Sequence, residues 1–455
     1  MIKTFFCICF LYLFFTNFSN AYAEVNNILT ENKCFIDKNN KKTCIGHPTK
    51  LKVDFSLDFN KRKILARSNL RFKMKTNSDN VFFFFEPNIK TIYLNKEKVN
   101  YFISKTPQEE DSILVIPVKK NKNEYELDLE YEVKNLTKWG FNWSPFFWKT
   151  DFSDSIDARF TNAFSISSFE EDRYPITYNF NLIGNKKNIN VITSGKGLIN
   201  NNNSLKIEFD SFTNASSPYF EITTKPNYIV SFNYKGKYKE FPVTLYFKPT
   251  LAKENNLTNK ELELRTIDII KKSLKKFENT FGEYAFSKLV VNLYSLKSGD
   301  LPLKEEYSME YGGAITSRFE LIPHELCHQW FGRGASPKDG QAGFVDELIC
   351  DWYDYDNPSK KTNNIRKPIR LVSSNIFTLR TKEESYQEGV FFSDISWLFK
   401  KENQDIYKTL RNFYQKYRLS SYSKEDFMKS LEDDYSGDLT LFFSKYIYGN
   451  NIDLK

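Results

Sequence analysis

No apolar stretch in this 455-residue chain is long enough to cross a bilayer. A spanning helix needs about twenty such residues, and the longest run, Phe5 to Phe15, has eleven. Stable membrane insertion is therefore not expected. A strong excess of one charge is also missing. The net +8 is modest for the length, and pairs such as Lys119-Lys120 and Lys186-Lys187 sit beside asparagine like solvated loops. That excludes a dedicated nucleic-acid surface. No internal repeat of fixed period recurs, which argues against a solenoid. Histidine is scarcest of all, at three residues: His47, His324 and His328.

The N-terminus reads as an export signal. Lys3 supplies a short positive region, Phe5 to Phe15 the apolar run, and Ala21-Tyr22-Ala23 an A-x-A cleavage site. This order predicts removal of residues 1–23 and a periplasmic or secreted mature chain. Cys7 and Cys9 leave with the signal, and Cys34, Cys44, Cys327 and Cys350 remain. In an oxidising compartment Cys34 and Cys44 would close a small loop. For Cys327 and Cys350, a disulfide and two buried thiols satisfy the pattern equally.

From residue 50 the apolar period is two. Leu51, Val53, Phe55, Leu57 and Phe59 alternate with polar residues, as do Leu70, Phe72 and Met74, and Tyr125 to Val133. Half-buried strands have this pattern, and the expectation for residues 24–248 is an antiparallel β-domain. Past residue 257 the period becomes helical. Thr258-Asn-Lys-Glu261 is a capping box, followed by Leu264, Ile267, Leu274, Phe277 and Phe281, and Gly282 stops the helix. Strands are expected at Lys288–Leu296 and Ala314–Ser317, and mostly helix after Asp346. Residues 249–455 thus form a second domain, and the whole an α+β protein.

Two of the three histidines stand four apart around a glutamate, in Pro323-His324-Glu325-Leu326-Cys327-His328. On a helix, positions i and i+4 share a face, so both imidazoles can reach one metal ion. Pro323 suits the first helical turn. Glu347, nineteen residues on, is the expected third ligand. Two histidines and a carboxylate leave zinc a fourth position, the mark of a catalytic site, and Glu325 remains as general base. The predicted cofactor is one Zn2+ per chain. His47, in Gly46-His47-Pro48, reads as a loop residue. The aromatic run Trp139 to Trp148 reads as β-domain packing rather than a substrate pocket.

His324-Glu-Leu-Cys-His328-Gln-Trp-Phe-Gly332 with Glu347 resembles the gluzincin aminopeptidase family, whose ligand pattern is H-E-x-x-H, eighteen residues, E. The likeness spans roughly residues 50–455. It implies a thermolysin-like, mainly helical catalytic domain and hydrolysis of peptides with a free N-terminus. Ser308-Met309-Glu310-Tyr311-Gly312 is similar to the family's G-x-M-E-N segment. By resemblance, Glu310 takes the substrate amine, beside Met309. Tyr386-Gln-Glu-Gly389 is similar to Y-E-K-G, which makes Tyr386 the oxyanion donor. An acid commonly follows the third ligand in the family. Metal-bound histidines give their other N–H to such a group, and Asp354 is the candidate, with Asp351 as competitor.

Departures from the pattern are specific. The glycine and asparagine of G-x-M-E-N are Tyr307 and Tyr311, and position 333, often asparagine, is Arg333. Asp346 replaces the asparagine before the ligand glutamate. The family's P-C-x-D-x-P stretch is missing, and Phe169-Glu-Glu-Asp-Arg is its nearest candidate. The chain stops where larger relatives continue into a β-sandwich and a helical superhelix. The leading expectation is an exported zinc aminopeptidase. A zinc endopeptidase of altered specificity and a non-catalytic exported binding protein are the alternatives, and no signal fixes an oligomeric state.

Overall fold

The computed structural model describes residues 25–450, apart from 30–32, 106–111, 134–154, 159–164, 185–188, 212–217, 224–226, 296–307, 355–369, 373–388 and a few residues in turns. The signal segment, the Trp139–Trp148 aromatics, Tyr307 and Tyr386 lie outside the described residues.

The first half is a sandwich of sheets. Its eight-stranded sheet is centred on His47–Asp58, Lys63–Lys73 and Glu124–Glu132, where the period-two pattern turns Leu51, Val53, Phe55 and Leu57 inward. A six-stranded sheet includes Asn80–Phe84 and Ser112–Pro117. There Val81, Phe83, Leu114 and Ile116 meet the large sheet, while Phe82, Phe84, Ile113 and Val115 pack on the other side. Burial on both faces explains why these strands are continuous apolar runs rather than alternating ones. The expectation of an antiparallel domain needs one correction. Ile176–Ile183 runs parallel to His47–Asp58, and Lys42–Ile45 parallel to Asn80–Phe84. These partners are far apart in sequence, so a long return connection lets them point the same way.

Beneath the helices of the second half lies a sheet. A five-stranded sheet, ordered Tyr228–Lys235, Glu240–Phe247, Leu289–Ser295, Ala314–Arg318, Met309–Tyr311, underlies the site. The sheet straddles the expected boundary at 248/249, because Glu240–Phe247 pairs in parallel with Leu289–Ser295. Eight α-helices follow among the described residues: α1 (Pro249–Glu254), α2 (Asn259–Thr280), α3 (Ile322–Cys327), α4 (Phe344–Asp354), α5 (Gly389–Lys401), α6 (Ile406–Tyr417), α7 (Lys424–Asp434) and α8 (Thr440–Tyr446).

Helix α2 begins at the capping box, where Thr258 Oγ1 accepts from the Glu261 amide and Glu261 Oε2 accepts from the Thr258 amide. Its buried face is Leu262, Thr266, Ile270, Leu274 and Phe277. Leu264, expected there, is 55 % exposed, because it lies about 200° around the helix from Leu262. Gly282 ends the helix at φ +113°, a conformation that favours glycine. Its carbonyl accepts from Trp330 Nε1 at 3.0 Å, which seats α2 against the segment behind α3.

Candidate active site

Helix α3 starts straight after the 3-10 turn Phe319–Leu321, with Pro323 in its first turn. Leu326, Cys327, Trp330 and Phe331 face the core, which leaves His324 and His328 toward α4. Helix α4 presents Glu347 from its first turn. His324 Nε2 and His328 Nε2 are 3.1 Å apart, and each is 3.5 Å from Glu347 Oε2. Zinc with ligand bonds of about 2.0–2.1 Å in a tetrahedron separates its ligand atoms by about 3.3 Å. The three edges match, and all three donors are of types that zinc accepts, so the residues fit a zinc ion.

Opposing effects set the charges around this triangle. Burial opposes protonation of His324, but the hydrogen bond with Glu347 prevails and holds it up to about 9. Burial likewise opposes the charge of Glu347, yet the two histidines keep its carboxyl well below the usual range. Glu325 is buried, and burial first, then the charge of Glu310, raises its carboxyl to about 7 despite the histidines. A carboxyl poised near neutrality can both take and return a proton.

His324 Nδ1 lies 3.3 Å from Asp351 Oδ1. The acid placed at this imidazole is thus Asp351, and the side chain of Asp354 is outside the described residues. Asp351 and Glu347 are four apart, so both lie on one face of α4, toward His324. His328 Nδ1 faces Asp346 Oδ2 at 3.9 Å, and Asp346 Oδ1 accepts from the Glu347 amide at 2.8 Å. A disulfide joins Cys327 to Cys350, from α3 to α4, and a second joins Cys34 to Cys44.

The Met309–Tyr311 strand lies beside α3 because of Gln329. Its Nε2 donates to the carbonyls of Tyr311 (2.9 Å) and Ala314 (3.1 Å), and its Oε1 accepts from the Gly313 amide at 3.1 Å. Alternation then sends Met309 and Tyr311 to one face and Glu310 to the other. Met309, expected beside the substrate, packs with Ile192 and Tyr219 of the first half. Glu310 points toward the histidines, and its charge helps to raise both Glu325 and His328. Glu310 also accepts a hydrogen bond from Arg333 Nη2 at 2.9 Å, with both side chains about 5 % exposed. The motif marks Arg333 as a departure from the family pattern, and no spacing in the sequence points to its pairing with Glu310.

Behind the site, residues of the first half close on the loop after α3. Arg173 Nη2 donates to the Arg333 carbonyl (2.8 Å) and to Ser336 Oγ (2.6 Å). Lys33 pairs with Glu171 at 2.9 Å and donates to the Lys338 carbonyl. His47, expected in a loop, starts a strand and is bonded through Nδ1 to Asp172 at 2.9 Å. Arg173, and Lys33 paired with Glu171, therefore clasp the first half to the loop after α3.

No family model and no curated protein matches the chain. Solved structures do. Yeast LTA4 hydrolase aligns with 90 % of this chain and 69 % of its own at 13 % identity, TM-score 0.62. Aminopeptidase A of Legionella pneumophila, in complex with aspartic acid, covers 88 % of this chain and 49 % of its own at 13 % identity, TM-score 0.63. An M1 zinc metallopeptidase of Deinococcus radiodurans, with a Tyr-Ser-Ala substrate bound, covers 90 % and 96 % at 12 % identity, TM-score 0.61. The neighbours are M1 zinc peptidases, and identities this low establish architecture. The chain carries the fold of the M1 zinc metallopeptidases.

Proposed function

We propose that this protein is a zinc-dependent peptidase. The observation that carries the reading is the triangle of His324, His328 and Glu347 with the buried Glu325 beside it. These ligands would hold one zinc ion, which supplies Lewis acidity toward water and a peptide carbonyl. Glu325, buried beside the triangle, accepts the proton of the attacking water and delivers it to the leaving amine. Asp351 holds the His324 ring in orientation through Nδ1. Tyr386 is the proposed donor to the oxyanion. Peptides are the proposed substrates because the neighbours bind an amino acid or a peptide. End-specificity turns on Glu310, since an open carboxylate there would select a free N-terminus and an aminopeptidase reaction.

Export is part of the proposal. It is supported by the N-terminal pattern and by the two disulfides, which persist in oxidising compartments. No helix among the described residues is long and apolar enough to cross a membrane. The test is hydrolysis of a fluorogenic peptide panel by the 24–455 chain, with metal content measured alongside. Glu325-dependent turnover requiring one zinc per chain is expected. Folded, zinc-loaded protein that cleaves nothing would instead support a non-catalytic binding role.

A further inference from the structure

We propose that Arg333 closes the amine subsite, so that the peptides cut here bring no free ammonium to Glu310: their N-termini are blocked or the scissile bond is internal. The inference rests on the peptidase reading and specifies its substrate class. Glu310 is the acid aimed from the sheet edge into the site, and its negative charge is the feature that would attract a substrate amine. In this fold the charge is already met. The Arg333 guanidinium sits 2.9 Å from Glu310 Oε1, and both groups are almost wholly shielded from water.

The arginine is not a surface arm that swings away at little cost. Its amide donates to the His328 carbonyl at 3.0 Å, and its carbonyl accepts from Arg173 at 2.8 Å. Gln329 meanwhile fixes the Tyr311 and Ala314 carbonyls and hence the strand that carries Glu310. Both partners are thus anchored through the backbone. An ammonium brought to the second oxygen of Glu310 would lie beside a guanidinium in buried, poorly screened surroundings, and like charges there repel strongly. Displacing the arginine would break a buried, hydrogen-bonded ion pair, which is costly. A neutral acetamide or a continuing peptide chain meets neither penalty. Its N–H and C=O can bond to the carboxylate–guanidinium pair, which offers both an acceptor and donors.

The test uses one protein digest in two forms, with free and with acetylated N-termini, presented to the zinc-loaded 24–455 chain. Cleavage positions and rates are read by mass spectrometry. The Arg333 chain should cut acetylated peptides or internal bonds at least as fast as it removes free N-terminal residues. In R333Q the ratio should move toward free N-termini by about ten-fold or more, as expected when a like charge is removed from a binding site. R333K should keep the original ratio. The E310Q/R333Q double variant removes both charges and guards against misfolding of the single one; it should show no preference. A ten-fold preference for free N-termini in the unmutated chain would overturn the inference and leave the peptidase reading intact. So would an R333Q variant that is less stable but unchanged in ratio. No Glu325-dependent cleavage of either pool would remove both readings together.

Discussion

Asp351 Oδ1 lies 3.3 Å from His324 Nδ1, on the side of the ring away from the metal-facing Nε2. A ligand imidazole held this way keeps its tautomer and its orientation. Asp351→Asn should weaken zinc binding by about 10–100-fold, the usual effect of losing such a partner. Competition titration with a chromophoric chelator measures it. An affinity within two-fold of the unmutated chain, at the same stability, would exclude this role.

Glu325→Gln should leave the zinc content at one per chain and lower turnover by about 10²–10⁴-fold, the range for a lost general acid–base. Elemental analysis beside steady-state rates separates the two effects. If zinc is lost along with activity, Glu325 belongs to the ligand set instead.

The Cys327–Cys350 bond spans 23 residues and ties the helix of His324 and His328 to the helix of Glu347. Replacing both cysteines by alanine should cost about 3 kcal/mol of stability, the value expected for a loop of this length. It should also speed zinc loss to a chelator. Denaturant midpoints and dissociation kinetics give the two readings, and unchanged dissociation would mean that the staple serves folding alone.

Gly332 has φ +103°, and a Cβ there would stand 2.8 Å from Asp346 Oδ2 and 3.4 Å from His328 Nδ1. Gly332→Ala combines backbone strain with pressure on a metal ligand. A loss of about 1–3 kcal/mol is expected from the strained backbone, together with weaker zinc binding. A variant that matches the unmutated chain in both would show that the turn relaxes freely.

Lys288 reaches across to the carbonyls of Thr193 and Gly195, and burial lowers its pKa from 10.5 to about 8, with Asp210 acting in the opposite direction. The unfolded chain therefore holds a proton that the folded one lacks between about pH 8 and 10.5. The stability tied to this difference is complete above that window and is lost as the pH falls through about 8. Between pH 7.5 and 9.5 the unmutated chain should gain denaturant resistance relative to Lys288→Gln. Parallel curves would remove Lys288 from the pH response.

What the sequence disclosed was local or periodic. His324 and His328 are one helical turn apart, so their convergence needs only a helix, and the cap at Thr258 needs only four residues. Asp351 and Asp354 both follow Glu347 on one helical face, so spacing alone does not single out Asp351, which the 3.3 Å distance to His324 Nδ1 identifies as a partner. The Arg333–Glu310 pair depends on how Gln329 grips a hairpin, which no spacing encodes. Met309 was carried into the site by motif likeness, whereas strand alternation turns it the other way from Glu310. The parallel pairing of Ile176–Ile183 with His47–Asp58 joins segments more than a hundred residues apart, and local patterns do not reveal such partners.

The sheet that crosses residue 248 has a consequence for anyone isolating the second half. A fragment beginning there would lose Tyr228–Lys235 and Glu240–Phe247, and Leu289–Ser295 would become an open edge. That strand, Leu-Val-Val-Asn-Leu-Tyr-Ser, has high β-propensity and no charge. Bare edges of this kind pair with other copies of themselves. The Tyr228–Phe247 hairpin thus serves as a guard rail against self-association, and a usable fragment has to keep it.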